Sequence, residues 1–231
     1  MSLAILYSRA GVGMDAPLVT VEVHLANGLP CMSIVGLPET AVKESKDRVR
    51  GAIINSQFEF PMRRITVNLA PADLPKEGGR FDLAIALGIL AASKQIPDTE
   101  LPDYEFAAEL ALSGELRAVQ GLLAMALQTT KVNRTLVIAP ANVAEATLVK
   151  NVRVITGKHL LKLTAHLSGT ERLDDCAPVL VTRSAHTQPD LQDVRGQYQA
   201  RRALEIAAAG GHSLLMVWLQ YPILKKQDSP A

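Results

Sequence analysis

Aromatic residues are scarce in this chain: they fill 4% of its 231 positions, and tryptophan occurs once. Hydrophobic residues nevertheless make up 48%, so the core must be aliphatic and the balance suits a soluble globular protein. Only two cysteines are present, Cys31 and Cys176. They lie far apart, match no metal-ligand spacing and build no disulfide framework, so reduced cytosolic thiols are expected. Neither sign of charge is in excess. A net charge of +1 gives no general attraction to nucleic acid or anionic membrane, although a local basic patch is compatible with it. No apolar run is long enough to span a bilayer. The opening MSLAILYSRAG puts no basic residues ahead of its short apolar stretch, unlike a secretory signal. These absences lead to the expectation of a cytoplasmic protein with no membrane partner, built as one large domain or one domain plus part of another.

What is present is organised around Asn68 to Ala92, NLAPADLPKEGGRFDLAIALGILAA. Pro71, Asp73, Pro75, Gly78 and Gly79 punctuate its first half, which reads as a loop. An apolar run from Leu83 to Leu90 follows, with Asp82 placed to face the positive end of a helix. Lys76, Glu77, Arg80 and Asp82 therefore gather at a loop-to-helix junction. A solvated loop before a core helix is one account of them; an inherited active-site loop is the other.

Around this junction the chain alternates strands and helices. Leu3 to Ser8 reads as a strand. Leu18 to Leu25 alternates, with Val19, Val21 and Val23 on one face. Asn27-Gly28 is a hairpin signal, predicting that Met32 to Val35 pairs back. Pro38 to Asn55 has helical spacing, with Lys43, Lys46, Arg48 and Arg50 read as a solvated, salt-bridged face. Arg63 to Leu69 is a strand. Strands are also predicted at Glu105 to Leu112, Thr135 to Ala139 and Val152 to Ile155. Helices are predicted at Leu122 to Thr130, Ala141 to Val149 and Lys158 to Leu167. Mixed hairpin and alternating units predict an α/β (α+β) sandwich. Ser168 to Pro189 loses periodicity and reads as a linker. Leu191 to Gly211 turns helical, with Asp193 as a cap and Gly210-Gly211 as the stop.

Four segments carry a family resemblance: VEVHLANGLPCMSIVGLPETAVKESKDRVRGAI, ITVNLAPADLPKEGGRFDLAIALGILAAS, ELALSGELRAVQG and DVRGQYQARRALEIAAAGGH. On these the chain resembles the N-terminal part of the ComM/YifB family of magnesium-chelatase-like AAA+ ATPases. The resemblance implies a Lon-protease-like N-terminal domain over residues 1–167, a fold also seen in a ribosomal protein domain and in small-molecule kinases. It further implies a linker at 168–189 and a helical start of an AAA+ module at 190–217.

The resemblance also marks departures. Lon-type peptidases use a serine in P-K-D-G-P-S-A-G and a lysine on a later helix. Here Pro75 to Asp82 reads PKEGGRFD, with Arg80 in the serine position, and Leu123 falls where the lysine is due. Neither can do dyad chemistry, so peptidase activity is not expected, and Asp73, Lys76, Glu77 and Arg80 are read as a candidate docking loop. After AAAGGH, a family member should run a strand into G-x-P-G-x-G-K-[ST], whose amides and lysine cradle phosphates while its hydroxyl holds magnesium. Here Ser213 to Val217 is followed by WLQYPILKKQDSPA. Residues 218–231 thus read as an aberrant tail of the kind a shifted reading frame would give. Val194, Gly196 and Gln197 correspond to an adenine-pocket remnant that would bind ATP only weakly without phosphate contacts.

The resulting expectation is an N-terminal fragment of a DNA-remodelling ATPase related to the competence protein ComM, whose family acts in branch migration or as a helicase in natural transformation. It would lack enzyme activity, catalytic residues, metal ligands and cofactor of its own; ATP, magnesium and DNA belong to the full-length family. Its partners would be itself or an intact AAA+ paralogue. The alternatives are a stand-alone interaction or oligomerisation domain and, below that, a Lon-like peptidase.

Overall fold

The computed structural model describes residues 2–36, 39, 42, 44–177 and 190–217. The chain divides into two compact units, Met1–Leu180 and Val181–Ala231.

In the first unit, β1 (Leu3–Arg9), β2 (Leu18–Ala26), β3 (Cys31–Val35) and β4 (Arg64–Ala70) form one sheet in the order β1-β2-β4-β3. Val19, Val21, Val23 and Leu25 of β2 are buried in alternation, as the period-two pattern predicts. The hairpin prediction fails. β2 is flanked by β1 and β4, both antiparallel to it, and β3 instead runs parallel to β4 on that strand's far side. The chain does turn back after Ala26, but it leaves one strand's width open, and β4 later fills the gap. Asn27-Gly28 encodes a reversal, whereas the partner across the reversal depends on residues some forty positions downstream.

Helices α1 (Ser45–Asn55) and α2 (Asp82–Ala92) belong to this layer. The predicted helix from Pro38 begins, as a described element, at Ser45; part of the segment ahead of it lies outside the described residues. All eleven residues of α2 are buried, which a helix apolar on every side requires.

A second layer follows. β5 (Tyr104–Ala107) leads into a small antiparallel ribbon of β6 (Glu109–Leu110) and β7 (Leu116–Arg117). Next come α3 (Leu122–Lys131), β8 (Thr135–Ile138), α4 (Val143–Ala146), β9 (Val154–Thr156) and α5 (Leu160–Leu167). β5, β8 and β9 form a parallel sheet. Its strands are buried on both faces: Phe106, Val137 and Ile155 join the main core, while Ala107, Leu136, Ile138 and Val154 join a second cluster with Leu122 and Met125 of α3. That is the usual state of a parallel sheet and gives short apolar runs without alternation. The architecture is α/β.

One buried charge cluster ties the layers together. Glu105 of β5 accepts from Arg9 of β1 at 2.7 and 2.9 Å, from Thr129 of α3 at 2.5 Å and from Arg134 at 3.3 Å. Arg134 also lies 3.8 Å from the centre of the Tyr7 ring. A buried carboxylate with this many donors is fully compensated.

The first unit extends beyond residue 167. Arg172 makes a bidentate pair with Glu100 at 2.6 Å, the Leu173 amide donates to His166 Nδ1 at 2.9 Å, and the Cys176 amide donates to the Val154 carbonyl at 2.7 Å. Residues 168–177, read from sequence as the start of a linker, are thus a strap bound to the first unit. Residues 178–189 lie outside the described residues.

In the second unit, a short 3-10 turn at Leu191–Asp193 is followed by α6 (Tyr198–Gly210). The predicted single helix from Leu191 is therefore broken, because Gly196 and Gln197 both take positive φ. Asp190, rather than Asp193, caps the turn, with the Asp193 side chain accepting from the Asp190 amide. Gly211 ends α6 in the left-handed conformation, as its position predicts.

Candidate functional site

The loop between β4 and α2 occupies one end of the four-stranded sheet. It does not present its charges uniformly. Asp73 and Glu77 are exposed, Arg80 is half-buried, and Lys76 is fully enclosed. The Lys76 ammonium donates to the Pro71 carbonyl within the same loop, and the Lys76 carbonyl receives the Glu39 amide at 3.3 Å. Burial pushes this ammonium below its ordinary pKa, and Asp73 pulls it back. Lys76 therefore holds the loop's shape and is not a surface contact, which corrects the expectation that it belongs to a solvent-facing docking cluster.

Arg80 does not pair with Asp73 or Glu77. Its Nη2 donates to the Gln120 carbonyl at 3.1 Å, and its guanidinium lies so close over Gly11 that a Cβ there would sit 2.7 Å from Nη2. Burial lowers its pKa, with Glu77 opposing the shift. Gly79 is required for a similar reason: a side chain there would meet Glu109 Cγ at 2.6 Å. The loop is packed against the 109–120 segment, and the two enclose an open groove of about 300 Å³. Glu77, Gly79, Arg80, Glu109, Val119 and Gln120 line it, with Gly78 and Ala118. No hydroxyl or thiol side chain is among them.

Asp82 opens α2 but caps nothing. It is fully buried and accepts from Arg48 Nε at 2.7 Å, Arg48 Nη2 at 3.2 Å, the Leu110 amide at 3.3 Å and Ser45 Oγ. Burial raises the Asp82 carboxyl above its ordinary range, and Arg48, Ser45 and Leu110 draw it back down. The hydrogen bond to Asp82 raises Arg48 in turn. This corrects the assignment of Arg48 to a solvated helix face. One signal pointed that way: Asp82 is the sole charge leading a run of apolar residues and needs a cation.

Leu123 lies in the first turn of α3, where its amide donates to Glu145 Oε1 at 3.0 Å. Val194, Gly196 and Gln197 are exposed in the turn before α6. The Val194 carbonyl there accepts from Arg201 at 3.2 Å and the Gln197 carbonyl from the Arg201 amide at 2.9 Å. Among the described residues no group of three or more His, Cys, Asp or Glu side chains is placed to hold a metal. No described helix is long and apolar enough to cross a membrane.

Residues 21–142 match the family described as subunit ChlI of Mg-chelatase, and residues 190–219 match a second described as magnesium chelatase, subunit ChlI. The chain is 53% identical over 221 residues to the competence protein ComM of Haemophilus influenzae. It is 49% identical over 217 residues to the uncharacterized protein YifB of Escherichia coli. It is 38% identical over 217 residues to the uncharacterized protein Mb2921c of Mycobacterium bovis. Each comparison covers 94% of this chain and 43% of the relative, so the chain spans less than half the length of these curated relatives.

Proposed function

This chain belongs to the ComM/YifB family of magnesium-chelatase-like proteins, and from that premise we propose that it serves as the N-terminal, non-catalytic portion of a DNA-remodelling AAA+ ATPase. The first unit, through residue 167 and its strap, is the Lon-like domain of such a protein, and the residues from 190 begin its AAA+ module. The whole assembly acts in the cytoplasm on DNA, in branch migration during natural transformation, and the first unit holds subunits together.

The observation that carries this reading is the state of the organising loop. Where a Lon-type peptidase has its nucleophile, Arg80 is bound to the Gln120 carbonyl, and the only lysine in the loop is turned inward onto Pro71. The groove offers no hydroxyl or thiol to act as the acyl-forming nucleophile of a Lon-type peptidase. A loop without a nucleophile but with Asp73 and Glu77 exposed supports a structural and docking role.

ATP and magnesium do not fit the residues present. The exposed turn at Val194, Gly196 and Gln197 offers no run of amides and lysine for phosphates, and residues 1–231 contain no G-x-x-x-x-G-K-[ST] sequence. We assign ATP turnover to AAA+ residues other than these 231. Two measurements test the reading. The chain should show neither ATP hydrolysis nor peptidase activity, and it should co-sediment with an intact AAA+ relative and with that relative's complex on single-stranded DNA. Micromolar ATP affinity by calorimetry, or cleavage of a casein substrate, would sink it. Association with itself but with no ATPase would favour the stand-alone oligomerisation domain, a reading supported by the first unit having a closed core of its own.

A further inference from the structure

The two ends of the four-stranded sheet carry opposite charge. At the end where β4 begins, two hollows of about 190 and 490 Å³ adjoin and share Pro61, Met62 and Arg63. Lys46 and Arg50 line the first, and Lys94 the second. Arg64 lies exposed beside them at the start of β4. These cations outnumber the acids of the same hollows, Asp47 and Glu59. None of the five makes an ion pair among the described residues; Arg50 rests on the Phe60 ring, 5.1 Å from its centre. Elsewhere in this unit Arg9, Arg48 and Arg134 are each bound to a buried carboxylate. Met62 adds an apolar surface, 66% exposed.

At the other end, where β4 finishes, Asp73 and Glu77 of the organising loop are exposed, as are Asp15 in the β1–β2 turn and Glu39, whose amide is bonded to the loop. Lys76 and Arg80, the loop's own cations, are turned inward as described, so among the described residues the outward face of the loop is acidic. Pro71, Ala72 and Pro75 are exposed beside the acids. The two ends are separated by the seven residues of β4, or ~20 Å.

We propose that the acidic Pro71–Glu77 loop of one copy docks in the basic hollows around Arg63 and Lys94 of a second copy. This rests on the reading of the first unit as a subunit contact and names both halves of that contact. Acids meet unpaired cations, and the loop's prolines meet Met62 and Pro61. The surfaces are unlike and lie at opposite ends of one strand, so a single copy cannot satisfy itself. The contact is heterologous and propagates from copy to copy, giving a ring where the rotation closes and an open filament where it does not. Electrostatic complementarity of this kind sets partner choice and register, and like charges placed together oppose association strongly.

A charge exchange in the full chain tests it by sedimentation velocity. The double variant Arg63→Glu, Lys94→Glu and the double variant Asp73→Lys, Glu77→Lys should each self-associate at least roughly tenfold more weakly than the unaltered chain, with unchanged melting. An equimolar mixture of the two should regain association, because every contact then pairs opposite charges. An unaltered chain that stays monomeric, or a mixture that fails to recover, overturns the proposal. If only the loop variant loses association, the loop still docks but the hollows are not its seat. If the hollow variant loses single-stranded oligonucleotide binding and keeps self-association, those cations serve nucleic acid instead.

Discussion

Helices α2 and α6 have similar lengths and opposite surroundings. α2 contains Gly88 and the β-branched Ile85 and Ile89, none of them favoured in an isolated helix, yet every residue in it is buried. α6 is rich in alanine, the best helix former, and it ends on a left-handed glycine with the His212 amide bonded to the Ala207 carbonyl at 2.8 Å. No residue of it is buried, and Ile206 is 53% exposed. One helix is sustained by the sheet beneath it and the other by its own backbone preferences and cap. The first cannot be changed without disturbing its neighbours, while the second tolerates change wherever its helix propensity survives.

The largest test of that contrast removes the same side chain from each. Leu87→Ala in α2 opens a cavity beneath a fully buried position and should cost ~2–5 kcal/mol. Leu204→Ala in α6 should change stability by only ~0.5 kcal/mol or less. Chemical denaturation of the full chain checks both, and equal losses would erase the distinction.

A glycine exchange sharpens it at intermediate scale. On propensity alone Gly88→Ala should stabilise α2 by ~1 kcal/mol. A Cβ there, however, would meet Val23 Cγ2 at 2.5 Å and Leu6 Cδ1 at 3.0 Å, and overpacking of this kind costs ~1–3 kcal/mol. The variant should therefore melt lower. The reverse exchange Ala207→Gly should follow propensity and weaken α6 by ~1 kcal/mol, seen as lost helicity in circular dichroism. A stabilised Gly88→Ala would show that the α2 packing is looser than these distances require.

The smallest effect is pH-dependent and belongs to the strap. His166 accepts the Leu173 amide at Nδ1 and meets the Tyr104 hydroxyl at Nε2, 3.0 Å away. Its pKa is lowered, first by burial and then by Arg172, with Glu100 and Asp175 opposing. A histidine whose folded pKa lies below its ordinary 6.5 takes up its proton more readily when unfolded. Stability is therefore complete above about 6.5 and falls as pH drops below it. The protection of the Leu173 amide, relative to its intrinsic exchange rate, should fall as pH drops through that window, and His166→Gln should flatten the dependence. A Leu173 amide equally protected at pH 5 and 8 would remove the imidazole from the strap's stability.

How much of the site was legible varied residue by residue. The loop's limits, the apolar α2 and the absence of a nucleophile at Arg80 could all be read along the chain, since each depends on residue type and on neighbours within a few positions. Lys76 was misplaced because the Pro71 carbonyl that receives its ammonium comes within reach only through the path of the loop. Arg48 was misplaced because its partner is 34 residues away. The role of Gln120, which supplies only a backbone carbonyl, left no side-chain signal.

The sequence by itself determined where most strands and helices lie, the buried face of β2 and the family, because periodicity and long motifs are local properties. The tertiary structure alone decided that β4 lies between β2 and β3, which loop charges face water, that residues 168–177 are bound down as a strap, and that cations and acids collect at opposite ends of one sheet. Each of these depends on which distant segments share a neighbourhood, and therefore on burial and pairing energies that no short window of residues contains.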